Sequence, residues 1–223
     1  MLERLDAILA ATEDKQKFFT RIARLYGVDS PRYLKVKKAY DDAKLAFRGR
    51  YRDELYEGHH KRYFEHLRFV AIIVIDYFGV QDVDIICAAL LHDIVEDIHA
   101  WSVARVEREF GPTVAYYVQC VTKLPVEMFS SKDVRNQEYH RQVELAPYAV
   151  KLIKLADVLH NTLTLGYCSL EKQHRKAKEI TEAYVPLARK YDIAAHELDE
   201  AVARIVSSWS EYPQLRNVKE VEA

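Results

Sequence analysis

The sequence predicts an all-α fold, a bundle of about eight to ten helices, on three observations. Glycine and proline number only six each, too few for the many turns that all-β and α/β chains need. Hydrophobic residues make up 49% of the chain and recur at three- and four-residue steps, which gathers them on one side of a helix. Charged residues, at 30%, are left for the solvated faces. Nothing marks an internal repeat or a composition break, so residues 1–223 read as one domain, with a core over about 35–192 and helical extensions at both ends.

The elements follow in order. Residues 1–25 read as an amphipathic helix on Leu2, Leu5, Ile8, Leu9 and Ala11, ended by Gly27 and the Asp29-Ser30-Pro31 cluster. A second helix runs over about 32–48. Residues 49–60, polar and holding Gly49 and Gly58, read as an irregular loop. A third helix over 61–78 stops at Gly79, and Asp82 or a neighbour caps the next, which carries Ile85 through Asp97 and is apolar until His92. Helices over 101–110 and 112–122 are punctuated by Gly111-Pro112. Residues 123–146 are ambiguous, part of them a mobile loop over one face. Helices over 147–166, 169–190 and 194–209 complete the chain.

Bulk properties narrow the function. A net charge of −1 argues against a general nucleic-acid surface but allows a local basic pocket. The longest apolar runs, Phe69–Ile75 and Ile85–Leu91, are too short to span a bilayer, and the first residues carry no signal-like stretch. Cys87, Cys120 and Cys168 form no CxxC pair and are odd in number, which points to reduced thiols and a cytoplasmic protein.

The chemistry concentrates in His92-Asp93-Ile94-Val95-Glu96-Asp97, four ionisable residues arriving at the end of an apolar helix. The i,i+4 spacing pairs His92 with Glu96 and Asp93 with Asp97. A second apolar helix carries Asp157 and Asn161 with the same spacing, and His66 opens a third apolar stretch. Burying such groups without partners is costly, and a cation supplies the partner. A buried His-Asp pair is also a common structural hydrogen bond; the convergence of three such segments favours the cation. Two histidines and two carboxylates suit a borderline ion such as manganese or iron better than magnesium, with positions left for water and a phosphate oxygen. Lys123, Lys154 and Arg52 are the candidate basic groups for a phosphorylated substrate, although Lys154 serves equally as a salt-bridge partner for the carboxylates. His59, His60, His99, His140 and His174 lie in polar contexts and read as surface residues.

The order His66…His92-Asp93…Asp157 resembles that of the HD superfamily. Ala88–Asp97, Phe110-Gly111, Val121–Leu124 and Lys154–Asn161 resemble, more narrowly, the hydrolase domain of RelA/SpoT proteins. Gln142–Pro147 resembles the single-domain, metazoan-type small alarmone hydrolases, and Tyr184–Ala188 a later helix of the same domain. The resemblance implies an HD-type helical fold, a manganese ion, and removal of pyrophosphate from the ribose 3′ position of guanosine tetra- or pentaphosphate, with no synthetase domain following. It makes His66, His92, Asp93 and Asp157 the metal ligands and Glu96 and Asp97 the pair that positions or activates water. Asn161 and Thr164 fall near the nucleotide, and Arg52 matches an arginine that packs on the base. Departures are plain: Asp53 follows Arg52 where the family has lysine, extra residues separate Arg52 from His66, Leu67 replaces a proline, and Leu163 stands where arginine is common. They keep open an HD phosphohydrolase acting on another phosphorylated nucleotide (an adenosine alarmone, or an NADPH-like one), or a catalytically silent alarmone-binding module.

Overall fold

A computed structural model describes residues 2–10, 14–56 and 58–211. Ala11, counted above on the first apolar face, lies outside them. The helix expected over 1–25 is two: α1 (Leu2–Ala10) and α2 (Lys15–Tyr26). Asp14 starts α2 by accepting a hydrogen bond from the Lys17 N–H at 2.7 Å, which satisfies one of the orphan donors of a first turn. Ser30 caps α3 (Pro31–Ala46), with Pro31 at its first position.

The loop expected over 49–60 is instead a hairpin. β1 (Tyr51–Tyr56) pairs antiparallel with β2 (His59–Arg62), Tyr51 opposite Arg62 and Tyr56 opposite His59, with a register irregularity between Tyr51 and Leu55. Gly58, at φ 79°, supplies the left-handed residue of its turn. Alternation is present but is not apolar against polar: Glu54 is 6% exposed while the Asp53 side chain is 87% exposed. Charged residues occupy both faces, so hydrophobic periodicity has nothing to register.

α4 (Tyr63–Ile72) runs on through a π-helical stretch, Ile73–Tyr77. Asp82 caps α5 (Val83–Leu91), accepting from the N–H groups of Asp84 and Ile85. The helix expected to reach Asp97 breaks at His92-Asp93, where Asp93 adopts φ −96°, ψ −2° before α6 (Ile94–Asp97) begins. α7 (Val103–Phe110) and α8 (Pro112–Val121) are divided at Gly111 as expected. Residues 123–146 resolve into a short 3-10 turn, Val126–Met128, and α9 (Lys132–Leu145), whose only buried residues are Tyr139 and Val143. α10 (Tyr148–Leu163) follows. α11 (Leu170–Glu179), a π stretch Ile180–Tyr184 and α12 (Val185–Tyr191) continue without leaving helical dihedrals, and α13 (Ala195–Glu211) is the last described helix.

α5 is the centre. Ile86 through Leu91 are all fully buried, packed among α3, α4, α8 and α10. Ile86, Leu90 and Leu91 each contribute roughly 1.5–3 kcal/mol by burial, so the residues that follow them start from a fixed platform. α10 is nearly as deeply buried and packs on α4, α5, α8 and α13. No helix among the described residues is long and apolar enough to cross a membrane.

Candidate metal centre

Three elements bring the four expected ligands to one point. α4 carries His66, the α5–α6 break carries His92 and Asp93, and α10 carries Asp157. His66 Nε2 lies 3.2 Å from Asp157 Oδ1 and 3.8 Å from Asp93 Oδ2; His92 Nε2 lies 3.0 Å from Asp93 Oδ2 and 3.7 Å from Asp157 Oδ1. One ligand atom each from His66, His92 and Asp157 falls within 4.8 Å of the others. The break in the helix matters, because successive residues on an unbroken helix diverge by about 100°. The bridge-region conformation of Asp93 turns its carboxylate to the same point as the His92 ring.

The donor set fits a divalent cation. His92 Nδ1–H donates to the Ala89 carbonyl at 2.9 Å, which leaves Nε2 with a lone pair. That nitrogen is buried, has no hydrogen-bond partner, and faces acceptor-only carboxylate oxygens. A positive charge between them, a proton on Nε2 or a bound cation, makes the arrangement favourable. His66 Nδ1 lies 2.9 Å from His160 Nδ1, so one hydrogen bridges two nitrogens. Placing it on His66 frees His66 Nε2 as a ligand and makes His160 the acceptor, the usual outer support of a metal-binding imidazole.

The electrostatics agree. Burial disfavours a charged His92, yet Asp93 and Asp157 outweigh it and push its pKa up to about 10; a divalent ion answers the same field. Burial, then the Arg52 guanidinium, drive His66 down to about 4, which keeps it neutral and able to ligate. Burial, then His66, hold His160 well below the usual histidine range, as an acceptor must be. Burial of Asp157 is outweighed by Lys154 and the two histidines, and its pKa lies well below the usual carboxylate range.

The cage forms the floor of a cleft of ≈ 330 Å³. Glu96 lines this cleft and accepts from the Lys123 backbone N–H at 2.9 Å; its partial enclosure raises its pKa. Asp97 is not in the cleft wall. It stands beside Tyr63, whose hydroxyl donates to Asp93 Oδ2 at 2.8 Å. Lys154 Nζ lies 2.8 Å from Asp157 Oδ2, between the rings of Tyr139 and Tyr184. Lys123 also lines the cleft, where burial, then Lys154, bring its pKa down to about 8. Asn161 Nδ2 donates to Asp157 Oδ1 at 2.6 Å. Thr164 donates its hydroxyl to the carbonyls of His160 and Asn161 and lines a neighbouring cavity of ≈ 230 Å³ with Phe69, Leu163 and Tyr167, rather than the cleft. Arg52 does reach the cleft wall, from β1, with its guanidinium engaged by Glu54 and Asn161.

Sequence reasoning missed His160, Glu54, Lys172 and Lys176. His160 was legible by the argument that found Asp157, as an ionisable residue within an apolar helix. Lys172 and Lys176 line the far wall of the cleft from α11, paired at 3.3 Å with Asp53 and at 2.7 Å with Glu179. Lysines four apart on a polar helix look like any solvated face.

Frame and cage together define the class: an all-helical protein whose His66, His92 and Asp157 could hold a divalent ion, with Asp93 beside them. The sequence matches the HD domain family across residues 45–194, and the chain belongs to that family. It is similar to the guanosine-3′,5′-bis(diphosphate) 3′-pyrophosphohydrolase of Haemophilus influenzae, 40% identical over 115 residues, which is 50% of this chain and 17% of that protein. It is also similar to the probable enzyme of that name from Synechocystis, 40% identical over 134 residues, 59% of this chain and 17% of the relative. The chain therefore spans about a sixth of the length of these relatives. A solved structure of a metazoan ortholog of SpoT, described as hydrolyzing ppGpp, matches with a TM-score of 0.66 and 27% identity, over 76% of this chain and 94% of that one.

Proposed function

We propose that this chain hydrolyses guanosine tetra- or pentaphosphate at the ribose 3′ position, releasing pyrophosphate, with manganese as the ion. The observation that carries the reading is the His66-His92-Asp157 cluster, with Asp93 3.0 Å from His92, at a cleft whose walls hold Glu96 and the lysines 123, 154, 172 and 176. Similarity to named 3′-pyrophosphohydrolases supports it.

A divalent ion in the cage supplies Lewis acidity toward a phosphoryl oxygen and lowers the pKa of water. The rest falls to side chains. Glu96 opens onto the cleft one turn beyond His92 and holds the attacking water, accepting its proton as the oxygen bonds to phosphorus. The P–O3′ bond breaks, O3′ takes up a proton from solvent to become the 3′-hydroxyl, and pyrophosphate leaves the nucleoside 5′-phosphates behind. Lys123, Lys172 and Lys176 offset the charge of the phosphate chain. Lys154, locked to Asp157, holds that ligand rather than the substrate. Tyr63 and Asn161 orient Asp93 and Asp157, and Asp97 fixes Tyr63. The free cysteines 87, 120 and 168 fit a reducing compartment such as the cytoplasm.

One observation favours a second reading of the base. Arg52 is tied to Glu54 and Asn161, so it is not a loose guanidinium waiting to stack on guanine. Another 3′-phosphorylated nucleotide, an adenosine counterpart among them, is then the competing substrate. The test is purified protein with manganese against a panel: guanosine tetraphosphate, its adenosine counterpart, NADPH and GTP, each with and without chelator. The expected result is chelator-sensitive pyrophosphate release from the guanosine compound and none from GTP, which lacks a 3′ group. Turnover of the adenosine compound alone overturns the guanine assignment; no turnover with the metal bound overturns the hydrolase reading.

A further inference from the structure

We infer that Glu54, in the hairpin, is a positioning residue for the metal ligand Asp157, acting through Arg52 and Asn161. It rests on the metal reading of the cage and not on the choice of nucleotide.

Four side chains are linked end to end. Glu54 accepts two hydrogen bonds from Arg52, from Nε at 2.9 Å and from Nη2. The same Nη2 donates to Asn161 Oδ1 at 2.7 Å, and Asn161 Nδ2 donates to Asp157 Oδ1 at 2.6 Å. The direction of this chain is forced at each end. A guanidinium has donors only, so Asn161 must turn its carbonyl oxygen to Arg52 and its NH2 to Asp157. Without a donor at the Arg52 position the amide is free to flip, which sets its oxygen against a carboxylate oxygen. Asp157 Oδ2 is already taken by Lys154 at 2.8 Å, so the Asn161 contact decides how Oδ1, the oxygen beside His66 and His92, is aimed.

Glu54 keeps the chain in tension. The Glu54 and Arg52 side chains are only 8% and 11% exposed, and the paired fork geometry is the one that compensates two charges for leaving water. With Glu54 gone, the buried guanidinium still feels Asp157 itself, whose charge already acts on it. It would then compete with the metal for that ligand. Both consequences point the same way, toward weaker metal binding, although Glu54 is not a ligand and stands three residues away along the chain of contacts.

The experiment is a manganese titration of metal-stripped protein, following the paramagnetic resonance signal of the free ion, on the wild type, Glu54→Ala, Asn161→Ala and the double variant. Glu54→Ala is expected to weaken manganese binding about tenfold, the low end for outer-layer partners of a metal site. In the Asn161→Ala background the same change should cost only about threefold, the part due to the uncompensated charge of Arg52. If Glu54→Ala is too unstable to titrate, Glu54→Gln, which keeps the shape and one acceptor, replaces it in the same cycle with about threefold expected alone and less in the Asn161→Ala background. Wild-type affinity in the Glu54 variant, or the same factor in both backgrounds, overturns the relay. A wild type that binds no manganese overturns the metal reading instead, so the two failures are distinguishable.

Discussion

α10 and the hairpin deliver equally buried carboxylates to the same centre by opposite routes. Asp157 and Glu54 are each 6% exposed. Asp157 sits in a helix whose neighbours are apolar on almost every side, so its charge is out of place in the sequence and calls for an explanation. Glu54 sits among Arg52, Asp53 and Lys61, where one more charge is unremarkable. Burial of an ion inside a hydrophobic segment is visible as an anomaly, whereas burial by pairing with a neighbour two residues away on the same strand face leaves no mark. Breaking each route separately measures how much of the site depends on each.

The helix route should break hardest. Asp157→Ala removes a proposed ligand and leaves Lys154 buried without its 2.8 Å partner. Metal affinity should fall by more than about 100-fold, beyond what loss of an outer partner costs. Stability should fall by about 3–5 kcal/mol, as when one member of a buried pair is removed. Metal analysis and a thermal melt check both parts; full occupancy in this variant is incompatible with the ligand assignment. Glu96→Gln should do the reverse, keeping the metal and lowering kcat by about 10²–10⁴ through loss of the proton acceptor. If its kcat matches the wild type, Glu96 serves only to hold the Lys123 backbone.

The same contrast explains what the sequence disclosed. Ile85–Leu91 before His92-Asp93, and the apolar run around Asp157, disclosed the centre of the fold and three of the four candidate ligands, because one strong rule, apolar surroundings for a charge, covers them. The break between α5 and α6 was not visible, since no glycine or proline marks it and the backbone change is absorbed at Asp93. Asp93 and Asp97 both face the Tyr63 hydroxyl, as their i,i+4 spacing implies, but only Asp93 lines the cleft. α9 was obscure because two buried residues, Tyr139 and Val143, make too thin a stripe to set a period. The lysines of α11 became a wall of the cleft only when the fold carried that helix across from α6.

That wall yields a smaller effect, read through pH. Lys123 titrates at about 8 rather than 10.5, chiefly through burial and secondarily through Lys154. Its ammonium form, the one that attracts phosphate, is present below about pH 8 and lost above it. KM should therefore rise by several-fold between pH 8 and 9, at most about tenfold per unit for one proton, while kcat changes less. Lys123→Arg, whose charge persists, should flatten that rise. A rise of the same size in Lys123→Arg assigns the titration to another group.

The smallest effect separates two ion pairs of one hairpin. Asp53 pairs with Lys172 at 3.3 Å with its side chain 87% exposed, whereas Glu54 is buried against Arg52. An exposed pair is screened by solvent and contributes at most about 0.2–1 kcal/mol, so Asp53→Asn should shift the melting temperature hardly at all. The metal should be unaffected, because Asp53 has no place in the Glu54–Arg52–Asn161–Asp157 chain. What changes is Lys172, which lines the cleft: relieved of its carboxylate, it meets a phosphate without first giving up a partner. KM should fall by about twofold or less, in proportion to so weak a pair. If Asp53→Asn instead weakens manganese binding as much as Glu54→Ala does, the hairpin acts as a whole and side-chain pairing within it is not what orients the ligand. If only Glu54→Ala weakens it, two carboxylates adjacent in sequence and opposite in burial divide the hairpin's work between the metal and the substrate.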